Sequence, residues 1–204
     1  MVNNYKSTFW DERYSSKEYV YGTEPNKFFK KQIDDITSPG KLLLPGEGEG
    51  RNAVYAAKFG WIVDTYDQSN QAKAKALNLA KKNNVKINYR VVDLLKFLPE
   101  KNYYDAVSLV YVHLATEYRK TFNKKLIDAL KVGGRIIIEL FSKDQLGKTS
   151  GGPQDLNMLY SLDEIKNDFG SLKTIRLKEQ IIEINEGDKH KGKASVIRFV
   201  GEKV

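Results

Sequence analysis

The sequence holds no cysteine and only two histidines. The first absence excludes a disulfide framework, a thiolate nucleophile and any cysteine metal site. The second leaves a zinc centre to carboxylates, so no metal is expected. No run approaches the ~20 apolar residues of a membrane span. The N-terminal MVNNYKSTFWDERY lacks the apolar core of a signal peptide. The expectation is therefore a soluble cytoplasmic chain without a membrane partner. Repeats, low-complexity tracts and linker-like stretches are also missing, and 204 residues are read as one domain, 1–204.

The net charge is +8. Such a balance fits nucleic acid as a partner. Here the lysines are scattered and interleaved with acids, as in KKQIDD and DKHKGK, so a solvated surface is favoured over a nucleic-acid face. An RNA substrate is kept as an alternative. The sequence leaves monomer and homodimer equally open.

Apolar spacing gives an alternation of strand and helix. In NKFFKKQIDDIT (26–37), Phe28, Phe29, Ile33 and Ile36 recur at helical spacing, with Asn26 as cap. KLLL reads as a strand buried on both faces. Helix 50–60, strand 61–67, helix 69–84 with Ser69 as cap, and strands 86–93 and 103–112 follow. Helix 116–134 ends at two glycines and leads into strand 135–142. SLDEIKNDFG (161–170) is a helix capped by Ser161. Two β-like runs, 172–185 and 192–202, leave no room for a crossover helix and read as an antiparallel hairpin. The predicted fold class is α/β: a Rossmann-like seven-stranded sheet of five parallel strands plus a C-terminal antiparallel hairpin, with helices on both faces.

The first strand runs into PGEGEGRN. Gly46, Gly48 and Gly50 let the backbone approach a ligand. The dinucleotide fingerprint needs a third glycine where Arg51 stands, and no G-K-[ST] follows, so neither a nucleotide-phosphate loop nor a dinucleotide site is read here. Glu47 and Glu49 would repel a pyrophosphate by about 1 to 4 kcal/mol at close range. A cationic ligand without phosphate reverses that sign, and S-adenosylmethionine, with its ammonium and sulfonium, is such a ligand. Glu49 is expected to face solvent in the first turn of the helix. Asp67 ends the second strand 21 residues after Gly46, where an acid accepts from ribose hydroxyls. Asp93 ends the third strand and can accept from an adenine amino group.

These stretches resemble a known family. LLLPGEGEGRN, VDTYDQS, YRVVDLL, YYDAVSLVYVHL and ALKVGGRIIIELFS are similar to successive motifs of the class I S-adenosylmethionine-dependent methyltransferases. The resemblance is to the small tellurite-resistance and thiopurine-methyltransferase-like group in particular. It implies a cofactor site made of Gly46, Glu47, Gly48, Gly50, Arg51, Asn52, Asp67, Gln68, Asp93, Leu94, Val110 and Tyr111. It also implies a small-molecule acceptor and residues 1–38 as an N-terminal helical cap. Within that cap Tyr14 and Tyr21 are expected at the site, and Phe9 and Trp10 in packing. One departure stands out. The family carries an acid two residues before the first loop glycine, where it holds the cofactor ammonium, and this chain has Leu44. Glu47 is the candidate replacement, with Arg51 for the cofactor carboxylate. Weak binding, or contact through backbone carbonyls alone, is the other possibility, as is a non-catalytic binding protein that keeps the fold.

Methyl transfer asks chiefly for alignment, and a general base only where the acceptor needs one. His113, after the fourth strand, is the candidate; His190 in the hairpin turn is read as structural. No PPY-type tetrad and no cysteine serve methylation of nucleic-acid bases, which disfavours such a substrate. The glycine-rich loop 141–160 leaves the fifth strand beside the presumed acceptor, where Gln145, Gly151, Gly152 and Met158 are expected to shape a pocket.

Overall fold

The computed structural model describes residues 7–204. Seven strands form one sheet in the order β3-β2-β1-β4-β5-β7-β6. They are β1 (Lys41–Pro45), β2 (Ile62–Asp67), β3 (Asn88–Val91), β4 (Tyr104–Val110), β5 (Leu130–Phe141), β6 (Lys173–Asn185) and β7 (Lys191–Glu202). The first five are parallel, and β7 is antiparallel to both β5 and β6. The helices are α1 (Ser7–Arg13), α2 (Lys27–Asp34), α3 (Arg51–Lys58), α4 (Asn70–Lys82), α5 (Thr116–Ala129) and α6 (Leu162–Asp168). The expected Rossmann-like sheet with its closing hairpin is the fold observed. Among the described residues no helix is long and apolar enough to cross a membrane.

The uniformly apolar β1 follows from burial on both faces. Leu43 packs with α5 and α6 through Phe122, Leu126, Ile165 and Phe169. Leu42 and Leu44 point the other way, into Phe29, Ile33, Val54 and Leu79 of α2, α3 and α4. Alternation along the strand thus sends neighbours to opposite cores, each needing apolar residues. After β1 the chain adds β2 and β3 on one side, then returns to place β4 on the other. A crevice therefore opens at the carboxyl ends of β1 and β4.

Local signals fix the helix starts. The Asn26 side chain accepts from the amides of Phe28 and Phe29. The Ser69 hydroxyl accepts from Ala72 and donates to Asp11 at 2.6 Å, which ties α1 to α4. Ser161 and Glu164 form a reciprocal capping box. Two boundaries differ from expectation. Helix α5 stops at Ala129, five residues short of the expected end. Leu130 turns extended and fully buried, and its backbone pairs with Tyr104. Gly133 and Gly134 then exchange hydrogen bonds with Lys203, so the glycine pair lies within β5 rather than ending a helix. Strand β3 ends at Val91, which puts Asp93 in the following turn.

Gly50 begins α3 in a left-handed conformation, φ +89°. A Cβ there would lie 2.7 Å from the Cβ of Ala76 on α4. Gly50→Ala combines backbone strain with overpacking and is expected to cost about 2 to 4 kcal/mol. Urea denaturation measures it, and an unchanged midpoint would contradict the close approach of α3 and α4.

Candidate active site

The crevice at the switch point is a cleft of about 990 Å³. Its floor is the loop between β1 and α3. Gly48 has φ +63°, and a Cβ there would meet the Tyr14 hydroxyl at 2.7 Å, so only glycine admits that tyrosine. Gly46 lines the cleft, while Gly48 and Gly50 shape the loop behind it. Glu47 turns back onto its own helix. One carboxylate oxygen accepts from the amides of Asn52 and Ala53 at 2.7 and 2.8 Å, and the other from the Asn52 side chain at 3.2 Å. Gly50 has no side chain to cap α3, and Glu47 supplies the cap. Burial nevertheless pushes its carboxyl up to about 7.

Glu49 departs from expectation. It is buried rather than solvent-facing. Its carboxylate accepts from the amides of Val20 and Tyr21 and pairs with Lys75 at 2.7 Å. The loop thereby latches the segment between α1 and α2. Arg51 is equally committed, since its guanidinium pairs with Glu186 at 2.7 Å and donates to the Tyr21 carbonyl. Asn52 accepts from the Asn26 amide at 2.9 Å, which joins α3 to α2.

Asp67 sits at the end of β2, as its place in the sequence required. One oxygen accepts from Gly48 N at 3.0 Å and the other from Ser69 N at 2.9 Å. Burial raises its carboxyl to about 6. Gln68 lines the cleft beside it. Asp93 is exposed at the rim, accepting from Leu95 N, with Leu94 half-buried next to it. Val110 and Tyr111 line the wall beyond β4. Tyr111 adopts φ +56°, uncommon for a bulky residue. Its hydroxyl donates to Glu139 at 2.8 Å and its ring stacks on Phe141 at 4.5 Å, which hold that conformation. Tyr14 and Tyr21 reach the cleft as expected. Phe9 and Trp10 line it as well, a role assigned to packing alone from the sequence.

The general-base role expected for His113 does not fit its surroundings. Nδ1 lies 2.8 Å from the Met158 carbonyl and must donate to it, which leaves Nε2 to accept from Phe141 N at 3.3 Å. Both nitrogens are used, and burial drives the pKa down to about 3. His113 braces the loop after β5. His190, read from sequence as structural, lines the cleft instead. Its ring packs against Tyr21, Tyr111 and Phe141 at 4.5, 4.8 and 5.4 Å. Nδ1 is buried without a hydrogen bond, 3.9 Å from Glu186, too far for one. Burial outweighs the nearby carboxylate and lowers the imidazole pKa. Loop 141–160 holds two short 3-10 turns, Lys143–Gln145 and Leu156–Met158. Gln145 lies beneath it, donating to Ser150 and the Gly151 carbonyl and accepting from Ser195 N, while Gly151, Gly152 and Met158 line the cleft.

Two acids escaped the sequence reading. Glu139 stands in the middle of the apolar RIIIELF, and a charge in a buried strand was the available signal. It accepts from Asn26, Tyr111 and Arg198. Glu186, in the hairpin turn, accepts from Arg51 and Asn26; burial pushes its carboxyl up, but the neighbouring His190 and the Arg51 guanidinium outweigh it and hold it down at about 2.

A family model described as Tellurite resistance protein TehB matches residues 8–201, and the chain belongs to that family. A curated relative from Haemophilus influenzae, named a probable S-adenosyl-L-methionine-dependent methyltransferase TehB, is 25% identical over 157 residues, 76% of this chain and 54% of the relative. The chain thus spans about half the length of the curated relatives it matches. The crystal structure of TehB from Haemophilus influenzae superposes with a TM-score of 0.75 at 20% identity, covering 97% of this chain and 67% of that one. A structure concerned with conversion of a disulfide bond into a thioacetal group during echinomycin biosynthesis also gives 0.75, at 16% identity, over 97% and 92% of the two chains. Both share the fold.

The environment of His113 makes a pH prediction. Unfolded His113 takes up a proton below about pH 6.5, while folded His113 refuses it until about pH 3. Its contribution to stability is therefore full above the upper value and is lost as pH falls. Denaturation of the protein and of His113→Gln across this range is expected to show a steeper acid loss in the histidine form. Parallel curves would restore His113 as a free base.

Proposed function

We propose that this member of the TehB family is an S-adenosylmethionine-dependent methyltransferase acting on a small-molecule acceptor by direct displacement. The observation that carries the reading is the acidic half of the cleft. Glu47, Asp67 and Asp93 stand at the carboxyl ends of three adjacent parallel strands; Asp67 is buried, Glu47 half-buried, and both have raised pKa values. Glu47 and Asp67 form no ion pair among the described residues, and carboxylates so placed suit a cationic ligand and repel a phosphate. The bound cofactor supplies an activated methyl group on a sulfonium.

Each chain residue then has a task. Asp67 accepts the ribose hydroxyls; Asp93 and Leu94 border the adenine; the loop from Gly46 to Gly50 passes under the amino-acid tail. Leu44 lies in the core and offers that tail nothing. Glu47 is the acid that α3 holds in place for the ammonium. Arg51 is turned to Glu186, so its part is to keep the hairpin against the loop rather than to meet the cofactor carboxylate. Tyr14, Tyr21 and Trp10 exclude water. His190, neutral at neutral pH, takes the acceptor's proton where the acceptor carries one. In an assay with an active acceptor, His190→Gln lowers kcat while leaving cofactor affinity in place.

Calorimetric titration with S-adenosylhomocysteine tests the site. Asp67→Asn is expected to weaken binding about 10- to 100-fold, the worth of hydrogen bonds to a charged group. Affinity is also expected to fall as pH drops below about 7, because a cation must then displace the proton of Glu47, and Glu47→Gln should flatten that dependence. No binding at millimolar concentration would sink the reading.

A further inference from the structure

Charge divides the cleft. Glu47, Glu49, Asp67 and Asp93 are all in the half built on β1, β2 and β3. Among the described residues, the half beyond β4 has no carboxylate in its lining. Its wall is Tyr111, Val112, Phe141, Gly152, Met158 and His190. Glu139 and Glu186 lie behind that wall, each paired with an arginine, Arg198 and Arg51.

Lysines gather at the rim of this second half. Lys189 lines the cleft itself. Lys148, Lys191 and Lys193 line an adjoining side cleft of about 350 Å³, which shares Thr149 with the main one. Three of the four come from the hairpin turn and the start of β7, and the fourth from the loop after β5. Asp188 stands in the same turn, and Glu183 faces Lys193 across the ladder, yet none of the four lysines makes an ion pair among the described residues. Some lysines elsewhere are paired, as with Lys75 and Glu49, Lys131 and Asp105, and Lys143 and Glu164; what sets these four apart is that they stand together at one opening. Four like charges crowded on one rim raise the local potential and draw anions toward the opening.

We propose that the methyl acceptor is a small organic anion. Its apolar, ring-sized body rests on Tyr111 and His190, which Phe141 backs from behind, and its carboxylate or phosphate reaches the lysine rim. The two halves of the cleft then sort their ligands by sign, the cationic cofactor on the acidic side and the anionic acceptor on the basic one. This rests on the methyl-transfer reading of the cleft, although the anion preference is measurable without it.

The test is binding of matched pairs to protein saturated with S-adenosylhomocysteine: 2-naphthoate against 2-naphthamide, and phenyl phosphate against phenol. The anions are expected to bind about tenfold more tightly at low salt, with the advantage shrinking as salt screens the rim. The doubly substituted Lys191→Glu, Lys193→Glu protein should lose the advantage while its S-adenosylhomocysteine affinity and thermal midpoint stay put. Lys191→Gln, Lys193→Gln serves as the milder pair if reversal disturbs folding. Equal binding of the neutral partners, an advantage that survives both double substitutions, or no binding of either member would overturn the proposal. So would a short RNA that outcompetes every small anion and is lost with the same lysines. If the wild-type protein fails to bind S-adenosylhomocysteine, the methyl-transfer reading falls, and the pairs measured on the unloaded protein still decide the anion preference.

Discussion

One buried amide holds the architecture of the site together. The Asn26 side-chain oxygen caps α2, its backbone amide donates to Asn52 on α3, and its side-chain nitrogen donates to Glu139 at 2.6 Å and Glu186 at 3.0 Å. The N-terminal segment, the helix after the glycine loop, β5 and the hairpin turn therefore meet at a residue that is 1% exposed. Of the two carboxylates it touches, Glu139 is buried and Glu186 half-buried, and each also has an arginine. Charges so placed are tolerated only while every partner is present. The wall of Tyr111, the position of Arg51 and the seat of His190 all hang on that arrangement.

The glycine loop shows a related economy of polar groups. Glu47 and Glu49 are adjacent but for one glycine, and they face different duties. The first closes the open end of α3; the second fastens the segment that carries Tyr21. A loop built mostly of glycine has little side-chain material with which to fix itself, and the two acids supply it. That is a physical reason for carboxylates in such a loop independent of any ligand. It also explains why one of them, enclosed and short of positive charge, holds its proton near neutrality.

Much of the fold was legible because period and caps agree. The spacing of Phe28, Phe29 and Ile33, the Ser69 and Ser161 caps, and the doubly buried LLL run each point to the element found. The α5–β5 junction was misread because KVGG looks like a helix stop, whereas Leu130 is drawn into the core and pairing with Lys203 turns the glycines into strand. At the site, strand-end positions such as Asp67 were readable from topology. The roles of Glu49, His113 and His190 were not. They depend on which long-range neighbour arrives: Val20 and Tyr21 for the first, Met158 and Phe141 for the second, and Tyr21, Tyr111 and Phe141 for the third. Sequence distance hides such partners, and an isolated histidine carries no mark of whether its nitrogens will be free.

The strand order has a consequence for biogenesis. β7 is the last strand of the sheet in chain order, yet it lies inside, between β5 and β6. During synthesis β5 thus keeps an open edge, and β6 has nothing to pair with, until β7 is inserted. An open edge next to an apolar face is a template for pairing with other chains. The same late strand brings in Arg198 and, just before it, His190. A nascent or truncated chain lacking it would be exposed to aggregation and short of one wall of its cleft at once, so completion of the sheet and completion of the cleft are a single event.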